Sequence, residues 1–443
     1  MIKKPFGTMR YAILASSAVL ALFANAALAG GHTATQKTDD AKERKETLLQ
    51  AGWLLDVPGQ SPKKNAVIVV QAKRIVNVLT GSAATQKLAQ DGAEIINLSD
   101  QFVLPGLMDA HVHITFESGM RRRFRYDGEQ TLSATPFARR TLLAGFTTVR
   151  DLASGPDIAF ALREAIKQGD VVGPRLLGAG LPVTAAGGHG DFPSMSAPNE
   201  LHDGVCWDEG SCRNAVRIQI KRGADVIKLM ATGGFSSGTG IKQQLFFEEM
   251  KAAIDAAHQR GFPVASHAYE RDGIMDVVKA GVDSVEHGIS IDDEIAKEMA
   301  TRGTYLTPTL MVYNPEISFG ASATASERAD QSKAAFQAAM QAGVKISFGT
   351  DAGVFNAHGT NAKEFKRMTE AGMTPMDAIV AATIHNADLF QVSDDLGTIE
   401  TNKIADIIAV GRNPLEDVSA LGEVNFVMKD GEVFLHEGDT TSP

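Results

Sequence analysis

Eight short apolar runs, separated by stretches of helical composition, organise the middle of the chain. They are Val103–Ile114, Thr147–Asp151, Arg175–Gly180, Val226–Ala231, Pro263–Ala268, Ser284–Gly288, Tyr305–Leu310 and Ile346–Ala352. Strands this short and apolar, alternating with helices, read as a parallel α/β fold. Eight such units suit a (β/α)8 TIM barrel. A doubly wound sheet would also alternate, but it gathers its ligands at one switch point, whereas a barrel draws catalytic groups from strand ends all round. Here chemistry-bearing side chains recur towards the ends of the runs, and the barrel is the better reading.

Lys228 lies inside one run, Val226-Ile227-Lys228-Leu229-Met230. A lysine is almost never buried without a partner. It therefore reaches solvent, is salt-bridged within the barrel, or has been chemically recruited. Around it, in chain order, stand His111, His113, His267, His287 and Asp351. His111 and His113 are two apart on an expected strand, so both imidazoles face the same way and can hold one ion. The set has the composition of a two-metal hydrolytic site bridged by a lysine that CO2 has converted to a carbamate. An ammonium has no free lone pair, but burial lowers a lysine's pKa and frees the amine that reacts with CO2. The carbamate's two oxygens and negative charge suit divalent ions roughly 3.5–4 Å apart.

The ends of the chain differ from its middle. Lys3, Lys4 and Arg10 precede an apolar stretch from Tyr11 to Phe23, then Ala27-Leu28-Ala29. That is the order of a secretory signal, with cleavage expected after Ala29, and the apolar stretch is shorter than the ~20 residues of a bilayer span. Residues 1–29 are thus read as a signal peptide, which implies a periplasmic or secreted protein with no stable membrane span, and 30–46 as a flexible segment. Residues 47–104 and 391–443 are both rich in strand-like runs and suggest a small β-sandwich domain built from both termini around a barrel at 105–390. Lys429-Asp430-Gly431-Glu432 reads as a hairpin turn. The 443-residue chain carries a net charge of −10, which argues against a nucleic-acid partner. Its two cysteines, Cys206 and Cys212, are a candidate disulfide in an oxidising compartment, and their spacing is not that of a structural zinc site. The glycine-rich stretch Thr232–Gly240 lacks the Lys-Ser/Thr of a phosphate-binding loop and is read as an active-site loop.

Several stretches together resemble the amidohydrolase superfamily: LPGLMDAHVH at Leu104–His113, VIKLMATGG at Val226–Gly234, SHAYERDG at Ser266–Gly273, SVEHG at Ser284–Gly288 and FGTDAG at Phe348–Gly353. LGTIETNKIADIIAV at Leu396–Val410 is similar to the return into the small β-domain, with Asn402 where glycine is usual. Within the superfamily the chain most resembles the imidazolonepropionase-like group that includes Xaa-Pro dipeptidase-like zinc enzymes. The resemblance implies that His111, His113 and Asp351 bind the more buried of two divalent ions, zinc being the expected metal. His267 and His287 would bind the second, and N6-carboxylated Lys228 would bridge them. It implies hydrolysis by water activated on the ions, with Asp351 passing the proton to the leaving amine. It also places Tyr269 and His189 against the substrate, Tyr269 donating to the scissile carbonyl and His189 meeting a carboxylate or carbonyl. A homo-oligomer is implied in the same way.

These readings converge on cleavage of an amide in dipeptides or N-acyl amino acids. The alternatives are hydrolysis of an aromatic, mycotoxin-type amide, hydrolysis of a cyclic amide, and a non-catalytic barrel scaffold. Lys228 speaks against a single-ion cyclic amidase, and the full set of six ligands against a scaffold. Arg150 is open between serving a carboxylate and pairing with Asp151 or Asp109.

Overall fold

The computed structural model describes residues 46–90, 92–117, 126–191, 201–235, 240–313, 323–354 and 357–436. The signal peptide, all but the last residue of the flexible segment, and part of the glycine-rich loop lie outside them.

The terminal segments form one mixed sheet. Its N-terminal strands are β1 (Thr47–Leu54), β2 (Lys63–Gln71), β3 (Arg74–Leu79) and β4 (Glu94–Pro105), with helix α1 (Gly81–Leu88) between the last two. The sandwich expected of these segments is hydrogen-bonded as a continuous seven-stranded sheet, completed by three strands from the C-terminal end. Its apolar core takes Leu49, Ile68 and Leu98 from the first part and Ile407, Phe426 and Met428 from the second.

Between these parts the barrel runs β5 (Leu107–Val112), α2 (Asp127–Leu143), β6 (Phe146–Asp151), α3 (Ile158–Gln168) and β7 (Arg175–Gly178). A two-residue pair follows, β8 (Thr184–Ala185) and β9 (Val205–Cys206), then α4 (Glu209–Arg222). Next come β10 (Ile227–Met230), α5 (Phe247–His258), β11 (Val264–Ala268), α6 (Arg271–Ala280), β12 (Ser284–His287), α7 (Asp293–Arg302) and β13 (Tyr305–Thr307). Helices α8 (Ala323–Gln341), α9 (Lys363–Glu370), α10 (Pro375–Val380) and α11 (Asn386–Leu389) lead to the sheet strands β14 (Ile407–Val410), β15 (Val424–Lys429) and β16 (Glu432–His436). No helix among the described residues is long and apolar enough to cross a membrane.

Strands β5–β7 and β10–β13 form two parallel sheets. Single bridges Val183–Leu229, Leu306–Ile346 and Val112–Ala352 join them into a closed ring. The eighth apolar run therefore closes the barrel through bridges at its two ends, without a ladder of its own. The first run divides. Its first three residues end β4 in the terminal sheet, Pro105 supplies no amide hydrogen, and the barrel strand begins at Leu107. At the junction the Gly106 amide donates to the Asp406 carbonyl, and a Cβ on Gly106 would lie 2.3 Å from Thr147 Oγ1. Gly106→Ala is expected to lower stability by about 1–3 kcal/mol through overpacking, read as a shifted denaturant midpoint at constant slope. An unchanged midpoint would mean that the junction yields.

Arg175 at the start of β7 ties barrel to sheet, with 2.7 Å contacts to both Asp406 and Asp430. The hairpin turn lies where expected, Asp430 and Gly431 both having positive φ. Asn402 also takes the left-handed conformation, at φ 74°, which asparagine tolerates in place of glycine. Cys206 and Cys212 are joined as a disulfide.

Candidate active site

Strand alternation brings His111 and His113 to the same end of β5, and the eighth run delivers Asp351 beside them. Asp351 Oδ1 lies 3.1 Å from His113 Nε2 and 3.6 Å from His111 Nε2. The other ring nitrogens are engaged elsewhere: His111 Nδ1 with Glu286 at 2.8 Å, and His113 Nδ1 with the Ala153 carbonyl at 3.2 Å. Both Nε2 atoms therefore turn toward the aspartate. One donor atom from each residue lies within 4.8 Å of the other two, and Asp351 Oδ1 is buried without a hydrogen-bond partner. A buried carboxylate oxygen left unpaired between two imidazole nitrogens fits a divalent cation and little else. The close approach rests on Gly349, where a Cβ would meet Thr307 at 2.4 Å and His111 at 3.0 Å.

His267 and His287 stand next to this triad. Their ring centroids are 4.8 Å apart, and that of His287 is 5.0 Å from that of His111. His267 Nε2 lies 3.2 Å from the Gly233 carbonyl, and His287 Nδ1 lies 2.8 Å from Thr309 Oγ1. Each ring thus keeps one nitrogen for another ligand. Burial first, then the charges of Lys228 and neighbouring histidines, holds His111, His267 and His287 well below the usual histidine pKa. They are neutral imidazoles with free lone pairs. His287, Thr309 and Asp351 all have positive φ (72°, 45° and 55°). Such strain in non-glycine residues gathers at functional sites.

Lys228 on β10 is 2 % exposed, and its ammonium forms no ion pair or hydrogen bond among the described residues, which removes the salt-bridged reading. Burial brings its pKa down to about 8 against the pull of Glu286 and Asp351. The ring of Tyr269 lies 4.4 Å from His267 and 4.9 Å from His287, and the ring of His189 lies 4.3 Å from His267. All eight candidate site residues therefore share one end of the barrel. The glycine-rich loop contributes through its described half: Gly233 accepts from His267, and a Cβ on Gly234 would collide with His189 at 2.7 Å.

Sequence reasoning missed Glu286. It is fully buried on β12, takes hydrogen bonds from Ser284 Oγ at 2.5 Å and Arg150 Nη2 at 3.0 Å, and holds His111 Nδ1. Arg150 therefore pairs with neither Asp151 nor Asp109. Asp109 instead accepts from Thr350 Oγ1 at 2.6 Å and Asn361 Nδ2 at 2.7 Å, joining the metal-ligand strand to the Asp351 segment. Glu286→Gln is expected to cost about 3–5 kcal/mol of stability, because Arg150 is left buried without its counter-charge. Metal affinity should fall about 10- to 100-fold as His111 loses its orienting carboxylate. Unchanged melting and zinc titration would show that the pair contributes neither.

A model described as the Amidohydrolase family matches residues 102–434. Ochratoxinase of Aspergillus niger is 32 % identical over 439 residues, covering 90 % of this chain and 88 % of that protein. A Xaa-Pro dipeptidase crystallised with methionine in its active site is 38 % identical, with a TM-score of 0.81 over 88 % of this chain and 100 % of that one. A prolidase complexed with N-methylphosphonate-L-proline is 27 % identical, with a TM-score of 0.79 over 89 % of this chain and 100 % of that one. The buried His-His-Asp triad at the barrel's strand ends and these similarities agree: the chain belongs to the Amidohydrolase family and is a metal-dependent hydrolase of carbon–nitrogen bonds.

Proposed function

We propose that this enzyme hydrolyses an amide that carries an aromatic group, the mycotoxin-type alternative of the sequence reading. The observation that carries the proposal is an aromatic wall beside the histidines. Phe235 lies 4.8 Å from Tyr269 and edge-on to Tyr313 at 6.4 Å, with Ile289 and Val312 packed in the same cluster. A flat substrate ring gains both apolar burial and aromatic contact there. The similarity to ochratoxinase supports this reading. A second reading, cleavage of dipeptides, draws on the 38 % identity to the Xaa-Pro dipeptidase. Incubation of the zinc-loaded enzyme with the mycotoxin after which ochratoxinase is named, N-benzoyl amino acids and a dipeptide library decides between them. Faster turnover of plain aliphatic dipeptides would overturn the aromatic reading.

In this proposal His111, His113 and Asp351 would hold one divalent ion, His267 and His287 would hold another, and Lys228, once carboxylated, would supply a further anionic ligand. When bound, the ions would lower the pKa of a water and polarise the scissile carbonyl. The protein's own groups do the rest. Asp351 takes a proton from the attacking water as its oxygen bonds to the carbonyl carbon, and delivers that proton to the amide nitrogen as the C–N bond breaks and the amine leaves. Burial first, then the charge of Asp351, pushes the Tyr269 phenol well above the usual tyrosine range, so it stays a donor toward the carbonyl oxygen. Burial brings the His189 pKa down to about 4, leaving a neutral ring to orient the substrate. Export belongs to the same proposal: the disulfide accords with an oxidising compartment, and the N-terminal sequence with a signal cleaved after Ala29. N-terminal sequencing of the periplasmic fraction tests it. Assembly into a homo-oligomer is read by sedimentation.

A further inference from the structure

We propose that a cavity at the end of the barrel opposite the histidines is a second binding site. Its ligand is a small uncharged molecule made of a ring and a carbonyl-type oxygen, and its occupancy is felt at His111 through Arg150 and Glu286.

The cavity has a volume of about 250 Å³. Two of its lining residues, Val226 and Pro263, stand just before β10 and β11, whereas His267 and His287 come toward the far ends of β11 and β12. Leu389 and Phe390, where α11 ends, close it from the helix side. Arg150 connects the two ends of the barrel. It is the penultimate residue of β6, and its side chain runs back to Ser284, the first residue of β12, at 3.1 Å.

Arg150 is 1 % exposed and lines the cavity. Its Nε donates to the Ala110 carbonyl at 2.7 Å, and Nη2 donates to Ser284 Oγ and Glu286. Nη1 is buried without a hydrogen-bond partner. Leaving a buried cationic N–H unmade is costly, so a ligand oxygen that accepts from it gains accordingly. Most of the remaining wall is apolar. Leu177, Val226, Phe262 and Leu389 contribute to it, as does Phe390, whose ring centroid lies 5.5 Å from the guanidinium carbon. Benzene fills an apolar cavity of about 150 Å³, so this one takes a ring with a short polar substituent. The charges decide against an anion. Arg150 is matched by Glu286, and Asp225, the carboxylate in the wall, is matched by Arg163. The two pairs leave the lining with no net charge.

The link to the active site follows from the same guanidinium. An acceptor on Nη1 gives Arg150 a further anchor. It thereby steadies the Nη2 contact to Glu286, whose carboxylate holds His111 Nδ1 at 2.8 Å.

Acetophenone is the probe, and α-methylstyrene, with a methylene in place of the carbonyl oxygen, is its control. Titration of the zinc-loaded enzyme followed by ligand NMR should give the ketone a Kd of about 0.1–1 mM. The styrene should bind about 10- to 100-fold more weakly, and benzoate more weakly than the ketone. Val226→Phe fills the cavity from the strand side and should abolish ketone binding. Leu389→Trp fills it from α11 and serves if the first variant fails to fold. Equal binding of the styrene, tighter binding of benzoate, or ketone binding that survives in a folded filled variant overturns the site. No binding of the ketone overturns it as well. The link to His111 is read by chelator-competition titration of zinc. Saturating acetophenone should lower the Kd for zinc about 5-fold in the wild type and not in the filled variant, and zinc should tighten acetophenone by the same factor. Unchanged zinc affinity overturns the link. None of these readouts needs turnover, so failure to find an amide substrate would leave the second site standing.

Discussion

Replacing Lys228 by methionine is expected to abolish hydrolysis, by about 10³-fold or more, while leaving the metal-free protein at least as stable as the parent. The two effects have one cause. In the metal-free fold Lys228 is a buried amine with no ion pair among the described residues, and burial has brought its pKa down to about 8. At pH 7 about a tenth of it is neutral, against less than about a thousandth for an ordinary lysine. Methionine fills the same space without a charge to desolvate. The stability difference should depend on pH. Between pH 8 and 10.5, the shifted and ordinary values, the unfolded lysine holds a proton that the folded one has lost. Parental stability therefore rises relative to Lys228→Met across that window, and the full deficit is present below it. Thermal melts of both metal-free proteins at pH 7 and pH 10 measure this. Activity and zinc per chain report the other half: the variant should lose ions along with turnover. Lys228→Ala, which opens room for a small carboxylate, should regain part of its activity in formate or acetate. A Lys228→Met enzyme with two ions per chain and activity within tenfold of the parent would exclude the bridging role.

That Lys228 could be singled out at all shows which features of such a site a sequence displays. A charged or ligating side chain inside an apolar run is conspicuous, and in a barrel every strand end leads to the same place. His111, His113, Lys228, His267, His287 and Asp351 were legible for that reason. Glu286 offers the same signal, a carboxylate between Val285 and His287 in a buried strand, but the adjacent ligand His287 masks it. The partner of Arg150 was less accessible. Its sequence neighbour Asp151 looked suitable, but adjacent strand residues face opposite ways, and the true partner comes 136 residues later. The terminal domain was legible as strand-like runs at both ends. Its order, with β4 flanked by β1 and β14, was not, because strand pairing across some 300 residues leaves no periodic trace.

Asp351→Asn is expected to lower kcat by about 10³- to 10⁴-fold, the upper part of the range for a general acid–base group, and to weaken metal binding as well. Asparagine is the informative substitution. The backbone at 351 is left-handed, with φ 55°, which asparagine accepts and alanine resists, so the variant should fold with a melting temperature close to the parent's. The side chain keeps its shape and loses only the charge and the ability to carry a proton. Those two losses can be told apart. If Asp351 serves only as a ligand, zinc in excess should restore most of the activity, and the deficit should be the same for every substrate. If it also protonates the leaving nitrogen, the deficit should persist at saturating zinc and shrink as the leaving group becomes less basic, from an alkyl amide to a nitroanilide. In the structure Asp351 Oδ1 stands beside both His111 and His113 without a hydrogen-bond partner, the arrangement of an oxygen that binds a cation. Among the described residues, no other carboxylate joins the cluster of donor atoms that could hold a metal ion. Asp109 and Glu286 are engaged with hydrogen-bond donors. Asp151, buried beside His113 with its Oδ1 also unpaired, is the remaining carboxylate nearby, so a uniform, fully zinc-rescued deficit would require the leaving amine to take its proton from water, Tyr269 or Asp151.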